Sequence, residues 1–240
     1  MKTDTADLLL AEELLLLALD DERGRVLPQA QIAIDFGLTG ALLMELTLHG
    51  ALALDGKRIT VDRVPQELPP LLRETAQALH DKPGKSLSYW MQHLRRALPH
   101  LRQRLIDGLV ARGTLEKHES RVLWVFRLTR YPERDGHAEH DIRQRLDAVL
   151  LHGNAADPRT HMLARLAESC RLIDALYPRD QRARAKKQLK TLDDLPLADS
   201  VGAATQQAVQ AATAAAAMVA ITAATSAATA SACSAASSSC

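Results

Sequence analysis

Residues 8–61 constrain the fold more than any other part of the chain. They contain two apolar runs, LLLAEELLLLAL at 8–19 and GLTGALLMELTLHGALAL at 37–54, and then KRITV at 57–61. The first run is too short to cross a bilayer, which requires about 20 apolar residues, and two adjacent glutamates interrupt it. We therefore predict two buried helices, followed by a hairpin whose tight turn is Asp55-Gly56.

The composition favours helices throughout the chain. Hydrophobic residues make up 47% of the sequence, but aromatic residues only 3%. The core must therefore be built from Leu, Ala, Val and Ile, which suits helix packing on helix. We predict a mainly α fold, a single globular helical domain with peripheral β-hairpins. From Ser200 onward no residue is charged, and the Ala/Ser-rich end at 226–240 predicts a disordered tail.

Capping and breaking residues predict where individual helices start and stop. Asp4 or Thr5 is expected to cap the first helix, Pro28 to begin the second, and Pro99 to break a helical pair because proline lacks an amide donor. A second hairpin is expected at 115–129. Three later helices are expected near residues 138–151, 158–176 and 179–191.

Charge is distributed unevenly along the chain. Residues 1–83 carry a net charge of −6 and residues 84–146 a net charge of +6. A basic middle segment suggests an anionic partner at one face. Arginine binds phosphate in a bidentate geometry, and the arginines around Pro99 are the candidates; a solvated amphipathic helix is the alternative. These candidate headgroup-binding residues are Arg95, Arg96, Arg102 and Arg104.

The apolar run in the second hairpin is a further candidate surface. It comprises Leu123, Trp124, Val125 and Phe126, and it is flanked by arginines at 121 and 127. Burial in the core, shallow membrane insertion and self-association are the three interpretations, because tryptophan favours the membrane interface.

Motifs for catalysis or metal binding are not recognisable in the sequence. Phosphate-loop, dinucleotide, zinc and nucleophile-elbow patterns are all lacking. His137, Glu139 and His140 do not have the spacing of a helical two-histidine site, so a polar helix start explains them better. The three cysteines are expected to be free thiols in a reducing compartment. We predict a protein that is not an enzyme and has no metal or cofactor.

Several segments of the sequence together resemble the Golgi phosphoprotein 3 family. They are EELLLLAL, DDERGR, GLTGALLMELTLHGAL and HLRQRLIDGLVARGTL. TRYPERD, DPRT and the Ala-rich end are similar to the family's bacterial branch. The resemblance implies one family-like domain over 1–225, mainly helical. It also implies a peripheral membrane protein that binds phosphatidylinositol 4-phosphate in a basic pocket. Four family headgroup-contacting positions fall on Ala30, Thr39, Pro99 and Arg102, and only Arg102 retains the family residue.

The leading functional hypothesis is a non-enzymatic, peripheral binder of phosphoinositide or other anionic lipid headgroups. The expected partner is an anionic membrane surface, with a second copy of the chain or membrane-protein tails as further partners. The expected location is the cytosolic face of a membrane, the Golgi in a eukaryote or the plasma membrane in a bacterium. A winged-helix-like nucleic-acid binder is the less favoured alternative, and an adaptor that uses the apolar hairpin is another.

Overall fold

The computed structural model describes residues 8–20, 24–55, 58–122, 126–134 and 136–192, together with 201, 203 and 205. Within these residues it contains nine helices and two antiparallel hairpins, so the prediction of a mainly α fold is confirmed. The predicted tail at 226–240 lies outside the described residues. The elements are α1 (Leu10–Ala18), α2 (Ile34–Leu48), β1 (Ala53–Asp55), β2 (Arg58–Thr60), α3 (Pro70–His80), α4 (Leu87–Ala97), α5 (Leu101–Ala111), β3 (His118–Val122), β4 (Phe126–Arg130), α6 (His137–Leu150), α7 (Pro158–Ser169), α8 (Ile173–Leu176) and α9 (Arg179–Leu189).

α1 is buried along its whole length, as its leucine content predicts. It packs against α2, α5, α6 and α7. The prediction that Asp4 or Thr5 caps this helix is wrong, since the helix begins at Leu10. The backbone N–H of Leu9 donates to Oε2 of Glu12 at 2.9 Å, so a glutamate inside the first turn satisfies the amide before the helix.

α2 is the central helix and contacts α1, α3, α4, α5 and α7. Turns occupy 28–33, so the helix begins at Ile34 and not at Pro28 as predicted. Two glycines permit close approach of neighbouring segments. A Cβ on Gly37 would lie 2.3 Å from Sγ of Cys170, and one on Gly40 would lie 2.4 Å from Cγ1 of Val201. Larger residues at these two positions would push the central helix away from its neighbours.

The helical pair around Pro99 breaks as predicted. α4 ends at Ala97, and α5 begins at Leu101 after a short link in which Leu98 is buried and Pro99 and His100 are exposed. His100 has φ 57°, in the left-handed region. The link therefore interrupts the helix, and residues from the end of α4 and the start of α5 line one depression.

Both predicted hairpins form, but Asp55, predicted to lie in the turn of the first hairpin, is the last residue of β1. β1 pairs with β2, with Asp55 opposite Arg58, and β3 pairs with β4, with Val122 opposite Phe126. The helix predicted at 158–176 is divided into α7 and α8, because Arg171 has φ 60° and interrupts the helical backbone.

Candidate anion-binding site

An open depression of about 380 Å³ lies at the break between α4 and α5. The first turn of α2, the end of α4, the link and the first turn of α5 all contribute to it. Two arginines, a histidine and a glutamine give it a donor-rich surface, with one carboxylate among them. Its lining residues are Asp35, Arg95, Leu98, His100, Leu101, Arg102 and Gln103.

Arg102 is held in this depression by Asp35. Nε and Nη2 of Arg102 both donate to Oδ1 of Asp35, at 3.0 and 2.7 Å. The side chains remain 29% and 40% exposed, respectively. Ion pairs with this exposure contribute at most about 1 kcal/mol, because water screens them and solvates the separated groups. An incoming anion can therefore replace Asp35 as the partner of Arg102 at small cost.

Arg95 reaches the depression from the last turn of α4. Its guanidinium carbon lies 4.6 Å from the centroid of the Phe36 ring. An aromatic face attracts a guanidinium group and leaves the N–H groups at its edge able to donate. Phe36 follows Asp35 in α2, so adjacent residues of one helix position both arginines.

The N-terminus of α5 adds backbone donors to the same depression. Leu101, Arg102 and Gln103 form its first turn and line the depression. The first turn contains no acidic residue, and no side chain in the described part of the molecule caps it. Free amides and the helix dipole favour an anion at such an end.

The other two predicted arginines lie outside the depression. Arg104 donates through Nη1 to Oε1 of Glu74 at 3.2 Å, and through Nη2 to Oε2 of the same carboxylate. The hydrogen bond with Glu74 raises the pKa of Arg104. Arg96 is exposed and does not line the depression. The structure thus brings Arg95 and Arg102 together and separates Arg96 and Arg104 from them.

Two of the positions implied by the family resemblance are buried. Ala30 and Thr39 have no exposed surface, and Oγ1 of Thr39 donates to the carbonyl of Asp35 at 2.9 Å. Pro99 is exposed in the α4–α5 link. Of the four positions, only Arg102 presents a charged group to the depression.

The apolar hairpin run falls at the end of the second hairpin. Since Val122 pairs with Phe126, the residues between them join β3 to β4. Leu123, Trp124 and Val125 lie outside the described residues, and Phe126 begins β4. Membrane insertion or self-association through this run therefore stays a prediction.

A second depression lies at the start of α6 and contains two of the residues considered for metal binding. Glu139 and His140 line it, but His137 does not. Nε of Arg143 donates to Oε1 of Glu139 at 2.5 Å. In the residues that the structure describes, no group of three or more His, Cys, Asp or Glu side chains has a metal-binding arrangement.

Sequence reasoning missed a buried ion cluster formed by α1, α2, α6 and α7. Oε1 of Glu13 accepts from Nη2 of Arg145 at 2.7 Å and from Nε of Arg159 at 3.3 Å. Nη1 of Arg159 also donates to Oε1 of Glu45 at 2.8 Å. The neighbouring Glu12 pairs separately with Arg112, which follows the last residue of α5. The available signal was the glutamate pair in a leucine helix, because buried carboxylates need partners.

A family model described as Golgi phosphoprotein 3 (GPP34) matches residues 10–212. The chain belongs to the Golgi phosphoprotein 3 (GPP34) family. The resemblance found in the sequence is thereby confirmed. No curated protein matches the sequence significantly. Membership of the GPP34 family is consistent with a Golgi-associated, lipid-binding role. The family is not known as an enzyme family. Among the described residues, no helix is both long and apolar enough to span a membrane.

Proposed function

We propose that this GPP34 protein is a non-enzymatic peripheral membrane protein that binds an anionic phospholipid headgroup in the depression between α4 and α5. The observation that supports this most strongly is the convergence of Arg95 and Arg102 at the N-terminus of α5. Guanidinium groups and free helix amides are the donors that phosphate groups prefer in proteins. A phosphorylated inositol headgroup, of the phosphatidylinositol 4-phosphate type, is the proposed ligand.

Binding exchanges one partner of Arg102 for another. In the free protein Arg102 donates to Asp35, and in the complex it donates to the phosphate. The depression contains two arginines against one carboxylate, so it carries a net positive charge that attracts an anionic phosphate. The exposure of Asp35 lets it return to water when the ligand displaces it.

The departures from the family pocket are compatible with this ligand because different residues supply the donors. Ala30, Thr39 and Pro99 contribute no charge, whereas Arg95 and His100 line the depression beside Arg102. We propose that Arg95, held against Phe36, supplies the second cation of this pocket. The protein then acts at the cytosolic face of a membrane, and the hairpin end around Trp124 contacts the membrane, membrane-protein tails or a second copy of the chain.

The first test is flotation with vesicles of three compositions. One contains phosphatidylinositol 4-phosphate, one contains phosphatidylglycerol, and one contains only phosphatidylcholine. Arg102→Ala removes a lining cation, and Arg104→Ala is the matched control from the same helix, because Arg104 pairs with Glu74. Loss of a charge-assisted bond, about 1.5–3 kcal/mol, predicts a tenfold to hundredfold loss of phosphoinositide binding in Arg102→Ala, with little change in the control.

Two other outcomes would support a different function for the protein. Equal binding to both anionic lipids, unaffected by Arg102→Ala, would indicate non-specific electrostatic attraction to the surface. No binding to any vesicle, together with a salt-sensitive mobility shift on nucleic acid, would favour the winged-helix alternative instead.

A further inference from the structure

Two large hydrophobic side chains are exposed among the described residues, and both lie on or beside α2. Ile32 is 52% exposed and Leu48 is 37% exposed. They lie near opposite ends of the helix, 16 positions apart, which corresponds to about 24 Å along a helix axis. Only Ile32 is near the depression, so the two side chains form a natural comparison.

Backbone geometry places Ile32 beside the depression. The N–H of Ile34 donates to the carbonyl of Ala30 at 2.8 Å, which closes one helical turn around Ile32 immediately before α2. Residues three and four positions apart on a helix are neighbours on its surface. Ile32 therefore lies one helical turn before Asp35, the partner of Arg102, and Phe36, which contacts Arg95.

The segment around Ile32 is uncharged, in contrast to its surroundings. Residues 26–34 read VLPQAQIAI and contain no charged side chain, although Arg25 precedes them and Asp35 follows. Pro28, Gln29 and Gln31 are exposed together with Ile32. An exposed apolar side chain in a neutral segment, one turn from the residues that hold two arginines, is complementary to the interface of an anionic bilayer.

We infer that Ile32 inserts into the bilayer interface while the adjacent Arg95 and Arg102 hold the headgroup. This inference rests on the proposed function, since it assigns the lipid surface as the occupant around the same depression. Apolar contact and headgroup binding then act on one membrane at neighbouring points. A soluble headgroup would use the depression alone, whereas a bilayer would use both the depression and Ile32.

The experiment compares Ile32→Ser with Leu48→Ser, which removes the other exposed hydrophobic side chain, at the far end of α2. Each variant, together with wild type and Arg102→Ala, is titrated with phosphatidylcholine vesicles containing phosphatidylinositol 4-phosphate, and separately with the soluble headgroup inositol 1,4-bisphosphate. Ile32→Ser is expected to weaken vesicle binding by about fivefold, from the apolar surface lost, and to leave headgroup binding unchanged. Leu48→Ser should resemble wild type in both titrations.

A gain-of-function variant separates this inference from misfolding. Ile32→Trp should strengthen vesicle binding, because tryptophan prefers the membrane interface. Vesicle binding by Ile32→Ser equal to that of wild type would overturn the inference, even if Arg102→Ala loses both ligands and so supports the headgroup site. Conversely, loss of vesicle binding in Ile32→Ser, with Arg102→Ala unaffected, would support insertion and overturn the proposed headgroup site.

Discussion

The buried ion cluster and the depression use the same pair of chemical groups in opposite environments. In the cluster, the carboxylates of Glu13 and Glu45 are 0% and 4% exposed, and arginines from α6 and α7 bind them. In the depression, the carboxylate of Asp35 is 40% exposed and binds Arg102. Both regions therefore consist of arginine–carboxylate pairs, and only the access of water distinguishes them.

This difference determines which pairs can exchange partners with a ligand. Removing one partner from a buried pair leaves an uncompensated charge, so the cluster fixes the relative positions of its helices. An exposed pair separates at small cost, so the depression can receive an anion. The exposed carboxylate of Asp35 can therefore give up its arginine to a ligand, whereas the buried carboxylates of Glu13 and Glu45 cannot.

The largest expected effect is the loss of stability on breaking the cluster. Glu13→Ala should lower the free energy of unfolding by about 1.5–3 kcal/mol, because Arg145 and Arg159 lose a shared carboxylate partner and Arg159 keeps Glu45. The matched change in the depression, Asp35→Ala, should cost at most about 1 kcal/mol. Urea denaturation followed by circular dichroism measures both. Similar losses in the two variants would contradict the distinction between the regions.

The next effect concerns affinity. Asp35→Asn should strengthen binding of inositol 1,4-bisphosphate by about threefold to tenfold, because the phosphate then no longer competes with a carboxylate for Arg102. Glu74→Gln is the control, since Glu74 pairs with Arg104 outside the depression. Isothermal titration calorimetry measures the change. Weaker binding by Asp35→Asn would mean that Asp35 positions Arg102 for the ligand and does not compete with it.

The smallest effect is on the pH dependence of stability. Burial raises the pKa of Glu13 above 4.5, although Arg159 and Arg145 act in the opposite direction. The folded state then holds this proton to higher pH than the unfolded state. The part of the stability that comes from protonation of Glu13 is therefore complete below pH 4.5 and is lost as pH rises through the raised pKa.

Urea denaturation of wild type and Glu13→Gln, from below pH 4.5 to neutral pH, tests how the stability contributed by Glu13 changes with pH. The stability of wild type relative to Glu13→Gln should fall as pH rises. A relative stability that rises with pH would show that the two arginines, and not burial, dominate the titration of Glu13.

Local sequence signals predicted much of the framework. The leucine run predicted a buried α1, and Pro99 predicted the break that forms the depression. The start of α1 was missed because Glu12 satisfies the amide of Leu9, a role usually taken by a capping residue before the helix. The division of α7 from α8 was missed because Arg171, and not glycine, adopts the left-handed conformation.

Partners that are distant in sequence account for what local patterns could not predict. Arg102 meets Asp35 across 67 positions, and Glu13 meets Arg145 and Arg159 across 132 and 146 positions. Helical periodicity gives the face on which a residue lies but not the helix that faces it. The separation of Arg96 and Arg104 from the depression likewise depends on the turn of the α4–α5 link and on the position of Glu74.

The most direct test of the central claim compares two variants of equal net charge. Arg95→Ala with Arg102→Ala removes both arginines that line the depression, and Arg96→Ala with Arg104→Ala removes two neighbouring arginines that do not. Binding to vesicles containing phosphatidylinositol 4-phosphate should be abolished in the first double variant and nearly unchanged in the second. Equal losses in both would contradict a headgroup site in the depression and indicate binding by overall charge.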